Sequence, residues 1–282
     1  MLLGIFVFLG ALLLSVMAAD VMVCKSSHRI IPHYAKEDIT ELADQNTWSP
    51  DDIYKLYLQT GLGECALLTM KSQHPYYEND RLVPLSERLK PFQEALFYEG
   101  DTEHELVADV SKRDLMKGFS APIAPVMEAG DVFVNSSTHT LGFRNGHASL
   151  LVDSFGTVLE SLELGADSAI STSGDQWFAE SSNFILLRLK DVDKATREAI
   201  AQEAANTLKG IPYDLTVGIF SKKYQGARPK STHCSHLVWQ AYKNAGYEID
   251  SNGGIVVTPR DIARCNLFEV VQVYGFDPEE LW

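Results

Sequence analysis

Positive charge and closely spaced cysteines are both scarce in this sequence. Across 282 residues, 24 Lys and Arg residues face 38 Asp and Glu residues, which gives a formal net charge of -14. The basic residues form no stripe or run that could follow a phosphate backbone. We therefore expect no nucleic-acid partner and no electrostatic attraction to an anionic membrane surface or polymer.

The cysteines are few, at positions 24, 65, 234 and 265, and none forms a C-x-x-C pair. This spacing argues against a dense disulfide scaffold and against a structural zinc ribbon. Cys65 and Cys265 fit two interpretations, either as buried apolar side chains or as disulfide partners of each other or of Cys24. Internal repeats and low-complexity segments are absent as well, so the composition is that of a soluble globular protein.

An uncharged apolar run occupies the amino terminus, from Leu2 to Ala19, and the first lysine is Lys25. Small or compact residues at positions 16–18 suit a signal peptidase, so a signal peptide over residues 1–19 with cleavage after Ala18 is one interpretation. An uncleaved membrane anchor is the second, and a buried structural helix the third. We expect an exported protein, located in the periplasm, the cell envelope or the medium, with membrane attachment through residues 2–19 if the anchor is retained.

A helical pattern runs from about Asp38 to Met116. Ser49-Pro50-Asp51-Asp52 combines an N-cap, a first-turn proline and two acids that favour the positive end of a helix dipole, and Gly61 supplies the stop. Weaker helical stretches follow at about 63–71, 86–98 and 103–117. The sequence therefore predicts a helical N-terminal region over residues 25–125.

The pattern changes to alternation in residues 126–282, which we expect to form a second domain. Strands are predicted at about 132–134, 148–152, 157–162, 184–189, 255–257 and 268–273, with a polar loop at 135–146. Helices are predicted at 191–209 and from Cys234 to just before Gly246. The fold class is therefore α+β, with an antiparallel sheet packed on helices.

A hairpin in this domain brings a histidine and a carboxylate together. If the turn occupies residues 153–156, Ser149 lies opposite Glu160, and His147 becomes the diagonal neighbour of Glu160 on the same face, about 7 Å away at the backbone. A carboxylate there can hold the imidazole in one tautomer and stabilise its protonated form, as in a catalytic triad. An ordinary surface pair is the alternative.

Cys234 stands where the second helix begins, within Ser231-Thr232-His233-Cys234-Ser235-His236. The free N–H groups and the positive dipole end of a helix N-terminus stabilise a thiolate, and the same amides can hold an oxyanion. The alternative is a buried small hydrophobe, against which the polar neighbours count. Because His-Cys-x-His is a poor spacing for tetrahedral zinc, we expect neither a metal nor a cofactor.

Five segments, in this order, resemble the circularly permuted branch of the NlpC/P60 papain-like superfamily, the YiiX/YaeF-like group. They are Gly146-His147, Val158-Leu159-Glu160, Pro212-Tyr213-Asp214, the run from His233 to Tyr242, and the run from Val257 to Ile262. The match covers about residues 128–275. His236 departs from the pattern, because this group more usually has an acidic residue there.

The resemblance implies a permuted papain-like domain with Cys234 as nucleophile, His147 as base and Glu160 as the polar third residue. Tyr213 would line the pocket or simply pack, and His233 and Ser235 would lie on the substrate side. The implied activity is an exported cysteine peptidase or amidase that cleaves an amide bond, in peptidoglycan stem peptides or another peptide. A lipid-directed acyl hydrolase or acyltransferase and a non-catalytic binding module of the same fold are the alternatives.

Overall fold

The fold is seen in a computed structural model that describes residues 2–26, 28–108 and 111–282, without the side chains of residues 2–7, 9 and 108. The helices are α1 (Leu2–Lys25), α2 (Thr40–Ala43), α3 (Pro50–Thr60), α4 (Glu64–Ser72), α5 (Leu85–Leu96), α6 (Gly174–Glu180), α7 (Lys194–Thr207), α8 (Cys234–Asn244) and α9 (Pro259–Ala263). The strands are β1 (Tyr76–Glu78), β2 (Arg81–Val83), β3 (Thr102–Ala108), β4 (Ser111–Met116), β5 (Val132–Asn135), β6 (Thr138–Thr140), β7 (His147–Leu151), β8 (Val158–Glu160), β9 (Ala169–Ser171), β10 (Phe184–Leu189) and β11 (Phe268–Tyr274).

The central element is a six-stranded sheet in the order β11-β10-β5-β7-β8-β9. Every neighbouring pair in it is antiparallel. Two smaller sheets accompany it, a β1-β2 hairpin and a three-stranded sheet in the order β3-β4-β6. The chain is therefore α+β with antiparallel sheets, as the sequence predicts.

Both faces of the central sheet are buried. Alternate residues of each strand point to opposite sides, so each strand contributes to two cores. Val132 and Val134 belong to a core shared with α7 and α8, whereas Phe133 belongs to a core shared with α3, α4 and α5. The second core joins residues on both sides of position 126. The helices of the N-terminal half thus pack against one face of the central sheet, whose strands come from the C-terminal half.

Helix α3 forms as its sequence predicts. Ser49 and Asp52 make a reciprocal capping box, and Pro50 occupies the first turn. Gly61 ends the helix in a left-handed conformation, with φ at 70°. A Cβ on Gly61 would lie 2.2 Å from the carbonyl oxygen of Val273, so the close approach of α3 to β11 requires glycine there.

Three local predictions are wrong. The predicted helix at 103–117 is the β3-β4 hairpin, and a second hairpin at 76–83 also interrupts the predicted helical region 25–125. Residues 255–257 are a loop rather than a strand, and the predicted polar loop 135–146 contains β6. In each hairpin the stabilising contacts join paired strands, which helical periodicity within one segment does not report.

The predicted N-terminal segment lies within α1, which continues to Lys25. Met1 and the side chains of residues 2–7 and 9 belong to that prediction but lie outside the described part of the chain. Over the residues that are described, no helix combines the length and the apolar character needed to cross a bilayer.

Candidate active site

His147 begins β7 and faces a carboxylate on the neighbouring strand. The pairs Leu150 with Leu159 and Leu151 with Val158 set the register of β7 and β8, which is the register predicted from a turn at 153–156. In that register Nε2 of His147 lies 3.0 Å from Oε2 of Glu160. With 4% and 8% of their surfaces exposed, the two side chains are shielded from water. This is not the surface pair considered as the alternative.

Asn135 and two aromatic rings hold His147 in place. The His147 backbone N–H donates to Oδ1 of Asn135, which sits opposite it on β5, over 3.0 Å. The imidazole packs edge-on against Trp177, with centroids 5.1 Å apart, and is stacked against Phe178 at 6.0 Å. The sequence did not predict a role for these three residues. For Asn135, a polar side chain at the end of an apolar strand was a signal that could have found it.

Cys234 is the first residue of α8, as predicted, and it is buried, with 7% of its surface exposed. His233 caps the helix: its Nδ1 accepts the backbone N–H of His236. The N–H groups of the first turn have no acceptor inside the helix, so those of Cys234 and Ser235 are available to a developing negative charge. The side chain of His233 also interacts with the Cys234 thiol.

The pKa values of Cys234 and His147 move in opposite directions. Burial alone would raise the pKa of Cys234, but His147 and His233 beside the thiol hold that pKa well below its usual range. Burial would lower the pKa of His147, but interactions with Cys234 and Glu160 outweigh it and raise this pKa to about 9. Both shifts favour a thiolate paired with an imidazolium over a neutral thiol and imidazole, and the thiolate is the nucleophilic form of cysteine.

Tyr213 lies near the nucleophile. Burial, followed by the charges of Cys234 and Asp214, raises the pKa of Tyr213, which keeps its phenol protonated. Its backbone pairs with Thr232, two residues before Cys234. The tyrosine is thus tied to the approach to α8 and can offer an O–H group on the side of the thiol.

Ser235 and His236 are structural neighbours of the site. Ser235 is 2% exposed, and its hydroxyl donates to the Val257 carbonyl over 2.9 Å, so its place suits positioning of α8 rather than contact with a substrate. Nε2 of His236 donates to the Lys223 carbonyl and its Nδ1 pairs with the Thr232 hydroxyl. Burial lowers the pKa of His236 to about 4, so it is a neutral, fully bonded residue of the helix.

Candidate cation ligands occur elsewhere in the described residues. One group joins Cys24, His104 and His139, and another joins His33, Asp277 and Glu279. Neither contains a member of the Cys234 site.

Comparison with known proteins assigns no family to the chain. No protein-family model matches it, and no curated protein matches it either. Among solved structures it is similar to the crystal structure of the metalloprotein yiiX from Escherichia coli O157:H7, at 16% sequence identity and a TM-score of 0.38. That alignment covers 51% of this chain and 96% of the other. A likeness this low leaves family and activity open.

Proposed function

We propose that the chain is an exported cysteine hydrolase of the permuted papain-like type that cleaves an amide bond. The observation that carries the proposal is the position of His147, whose buried ring bonds the Glu160 carboxylate at 3.0 Å on one side and interacts with the Cys234 thiol on the other. Three residues far apart in sequence thereby form a nucleophile, a base and an orienting group.

In the proposed reaction, the Cys234 thiolate attacks the carbonyl carbon of the substrate. A C–S bond forms, and the carbonyl electron pair moves to oxygen, where the first-turn amides of α8 can receive the charge. The C–N bond then breaks, and the His147 imidazolium gives its proton to the leaving amine. Water attacks the thioester, His147 takes one proton from that water, and the carboxylic acid leaves as the thiolate is restored.

Glu160 accepts a hydrogen bond from Nε2–H of His147, which directs the other ring nitrogen, Nδ1, to the reacting thiol. The carboxylate also stabilises the imidazolium before the proton is delivered. Tyr213, as a protonated phenol, is proposed to donate to the substrate carbonyl or to its oxyanion.

The proposed substrate class is a peptide amide, with peptidoglycan stem peptides as the first choice. Its supports are the motif order from His147 to Cys234 and the predicted export of the chain. A lipid acyl group is the second candidate, and a specific observation favours it. The loop that follows Tyr213 exposes large apolar side chains, with 55% of Ile219, 86% of Phe220 and, on the adjoining loop, 68% of Ile255 in contact with solvent. Such side chains suit contact with an acyl chain or a lipid surface.

One experiment separates these substrates. Wild type and Cys234→Ser are incubated with purified peptidoglycan and with phospholipid vesicles, and products are identified by mass spectrometry, with Cys265→Ser as a matched thiol control. We expect new amine and carboxylate ends from peptidoglycan in wild type and in the control but not in Cys234→Ser. Fatty-acid release from vesicles with the same dependence on Cys234 would favour the lipid activity instead. If neither substrate yields a Cys234-dependent product, the hydrolase proposal fails.

A binding module of the same fold makes a different prediction for the thiol. We expect Cys234 to be alkylated rapidly at mildly acidic pH, and we expect His147→Ala to abolish that reactivity, because the imidazolium stabilises the thiolate. A slow, ordinary rate for Cys234 in wild type would favour a non-catalytic role. Export is tested separately by the mass of the purified secreted protein, which should lack residues 1–18.

A further inference from the structure

A cluster of metal-binding side chains lies on one face of the β3-β4-β6 sheet. His104 of β3 pairs directly with Asp114 of β4, and Lys112, two residues away on β4, pairs with His139 of β6. Direct partners, and residues two apart on a strand, share a face of a sheet. Both histidines and the carboxylate between them therefore point to the same side.

Helix α1 crosses this face. Asp20 and Cys24 are four residues apart, so they lie on the same side of the helix. The Asp20 carboxylate is paired with Lys112, and Cys24 Sγ lies 3.6 Å from the same ammonium. One ligand atom each from Cys24, His104 and His139 lies within 4.8 Å of the other two.

His139 is the observation that points to a missing ligand. Its side chain is fully buried, and its Nδ1 has no hydrogen-bond partner among the described residues, while its Nε2 lies 3.3 Å from Oδ1 of Asp114. A buried polar group without a partner lowers the stability of the fold. A metal ion bonded to Nδ1 would remove that cost.

Asp114 is placed to orient both histidines. One of its oxygens, Oδ1, lies 2.9 Å from Nδ1 of His104 and 3.3 Å from Nε2 of His139. Its other oxygen, Oδ2, pairs with Arg144 at 2.7 Å. The remaining ring nitrogens, Nε2 of His104 and Nδ1 of His139, are then the candidate ligands. A carboxylate behind a metal-binding histidine is the usual arrangement in zinc sites.

We propose that Cys24, His104 and His139 bind a divalent ion of the zinc class, with Asp20 as the fourth ligand. One thiolate, two imidazoles and one carboxylate form a donor set that zinc accepts in tetrahedral geometry. Oδ1 of Asp20 lies 3.9 Å from Nδ1 of His139. Tetrahedral zinc places its ligand atoms about 3.3–3.7 Å apart. The ligand atoms of Cys24, His104 and His139 lie within 4.8 Å of one another, so they must close by at most about 1.5 Å.

Lys112 competes with the metal for Asp20 and Cys24. Its side chain is 31% exposed, so the ammonium can move into water when the ion enters. The charges of the thiolate and the Asp20 carboxylate then balance the two charges of the ion. The bound metal would fasten α1 to the small sheet, and cleavage after Ala18 would leave both helix ligands in the chain. This site shares no residue with the Cys234 triad and does not depend on the proposed activity.

The test uses the purified chain, stripped of metal with a chelator, kept reduced without thiols and titrated with Co²⁺ alone. We expect one equivalent to bind with tetrahedral ligand-field bands and a thiolate-to-cobalt charge-transfer band. Cys24→Ser should lose the charge-transfer band, and His104→Ala should weaken binding roughly 10-fold or more. Cys65→Ser and Cys234→Ala are the matched thiol controls and should keep the full spectrum.

Other outcomes would overturn the site. A charge-transfer band that persists in Cys24→Ser, or that disappears in Cys234→Ala, would assign the thiolate to another cysteine. Absence of the band in wild type would exclude Cys24 as a ligand. Cys24 is only half-buried, so its serine variant is expected to fold, and circular dichroism of each variant verifies this before titration.

Discussion

The contact between Glu160 and His147 allows a quantitative prediction for Glu160→Gln. The substitution keeps the shape of the side chain and an oxygen that can accept from Nε2–H, but it removes the negative charge. A hydrogen bond to a charged group contributes about 1.5–3 kcal/mol and a neutral one about 0.5–1.5 kcal/mol, so the imidazolium loses about 1–1.5 kcal/mol. That loss lowers the pKa of His147 from about 9 to about 8, since 1.36 kcal/mol corresponds to a tenfold change.

The sign of the pH effect follows from which form carries the charge. In the proposed reaction the imidazolium donates the proton to the leaving group. Activity should therefore fall as pH rises through the pKa of His147, at about pH 9 in wild type and about pH 8 in the variant. The rise of activity at acidic pH reflects loss of the Cys234 proton while His147 is still charged, so we expect its midpoint to stay unchanged. The substitution should therefore shift only the fall of activity at alkaline pH.

Stability should show the same dependence. A histidine whose pKa is raised on folding adds stability that is complete below its unfolded pKa of 6.5 and is lost as pH rises through about 9. Glu160→Gln should therefore lower the free energy of unfolding by about 1–1.5 kcal/mol near pH 6 and by little near pH 10.

The assay is nuclear magnetic resonance of the His147 imidazole during a pH titration, with denaturant unfolding at two pH values in parallel. The rate of Cys234 alkylation by iodoacetamide, measured against pH, gives the pH at which the thiol loses its proton. Glu163→Gln is the matched control, because Glu163 carries the same carboxylate three residues further along the chain but is only half-buried. An unchanged His147 pKa in Glu160→Gln, or an equal change in the control, would refute the role assigned to Glu160.

Three further substitutions test the scaffold by denaturant unfolding. Phe178→Ala removes a fully buried ring that stacks on Phe133 and on His147, and should cost about 3–5 kcal/mol; a loss below 1 kcal/mol would contradict that packing. Arg188→Met leaves the buried Asp131 carboxylate without its paired guanidinium and should cost about 3–5 kcal/mol, which replacement of both residues by apolar ones should largely restore. Ser49→Ala removes one half of a capping box and should cost about 1 kcal/mol, with Ser49→Thr, which keeps the hydroxyl, near wild type.

Local signals predicted much of the second half of the chain. Strands β5, β10 and β11 and helices α7 and α8 lie where alternation, caps and stop residues predict them, within a few residues at each end. The turn at 153–156 sets the register of β7 and β8, so the contact of His147 with Glu160 could be predicted from the sequence. Local periodicity failed at residues 102–116, where pairing with β6 favours strands over the helix that the segment alone suggests.

What the sequence determined by itself is chemistry that depends on near neighbours: the helix start at Cys234 and the hairpin that joins His147 to Glu160. Only the tertiary structure decided contacts between segments far apart in the chain. The approach of α8 to β7, which links Cys234 with His147, results from packing of both elements in one core. The meeting of α1 with His104 and His139 depends in the same way on which face of the small sheet the helix covers. The free energy of such packing depends on both surfaces that meet, so it cannot be predicted from either segment alone.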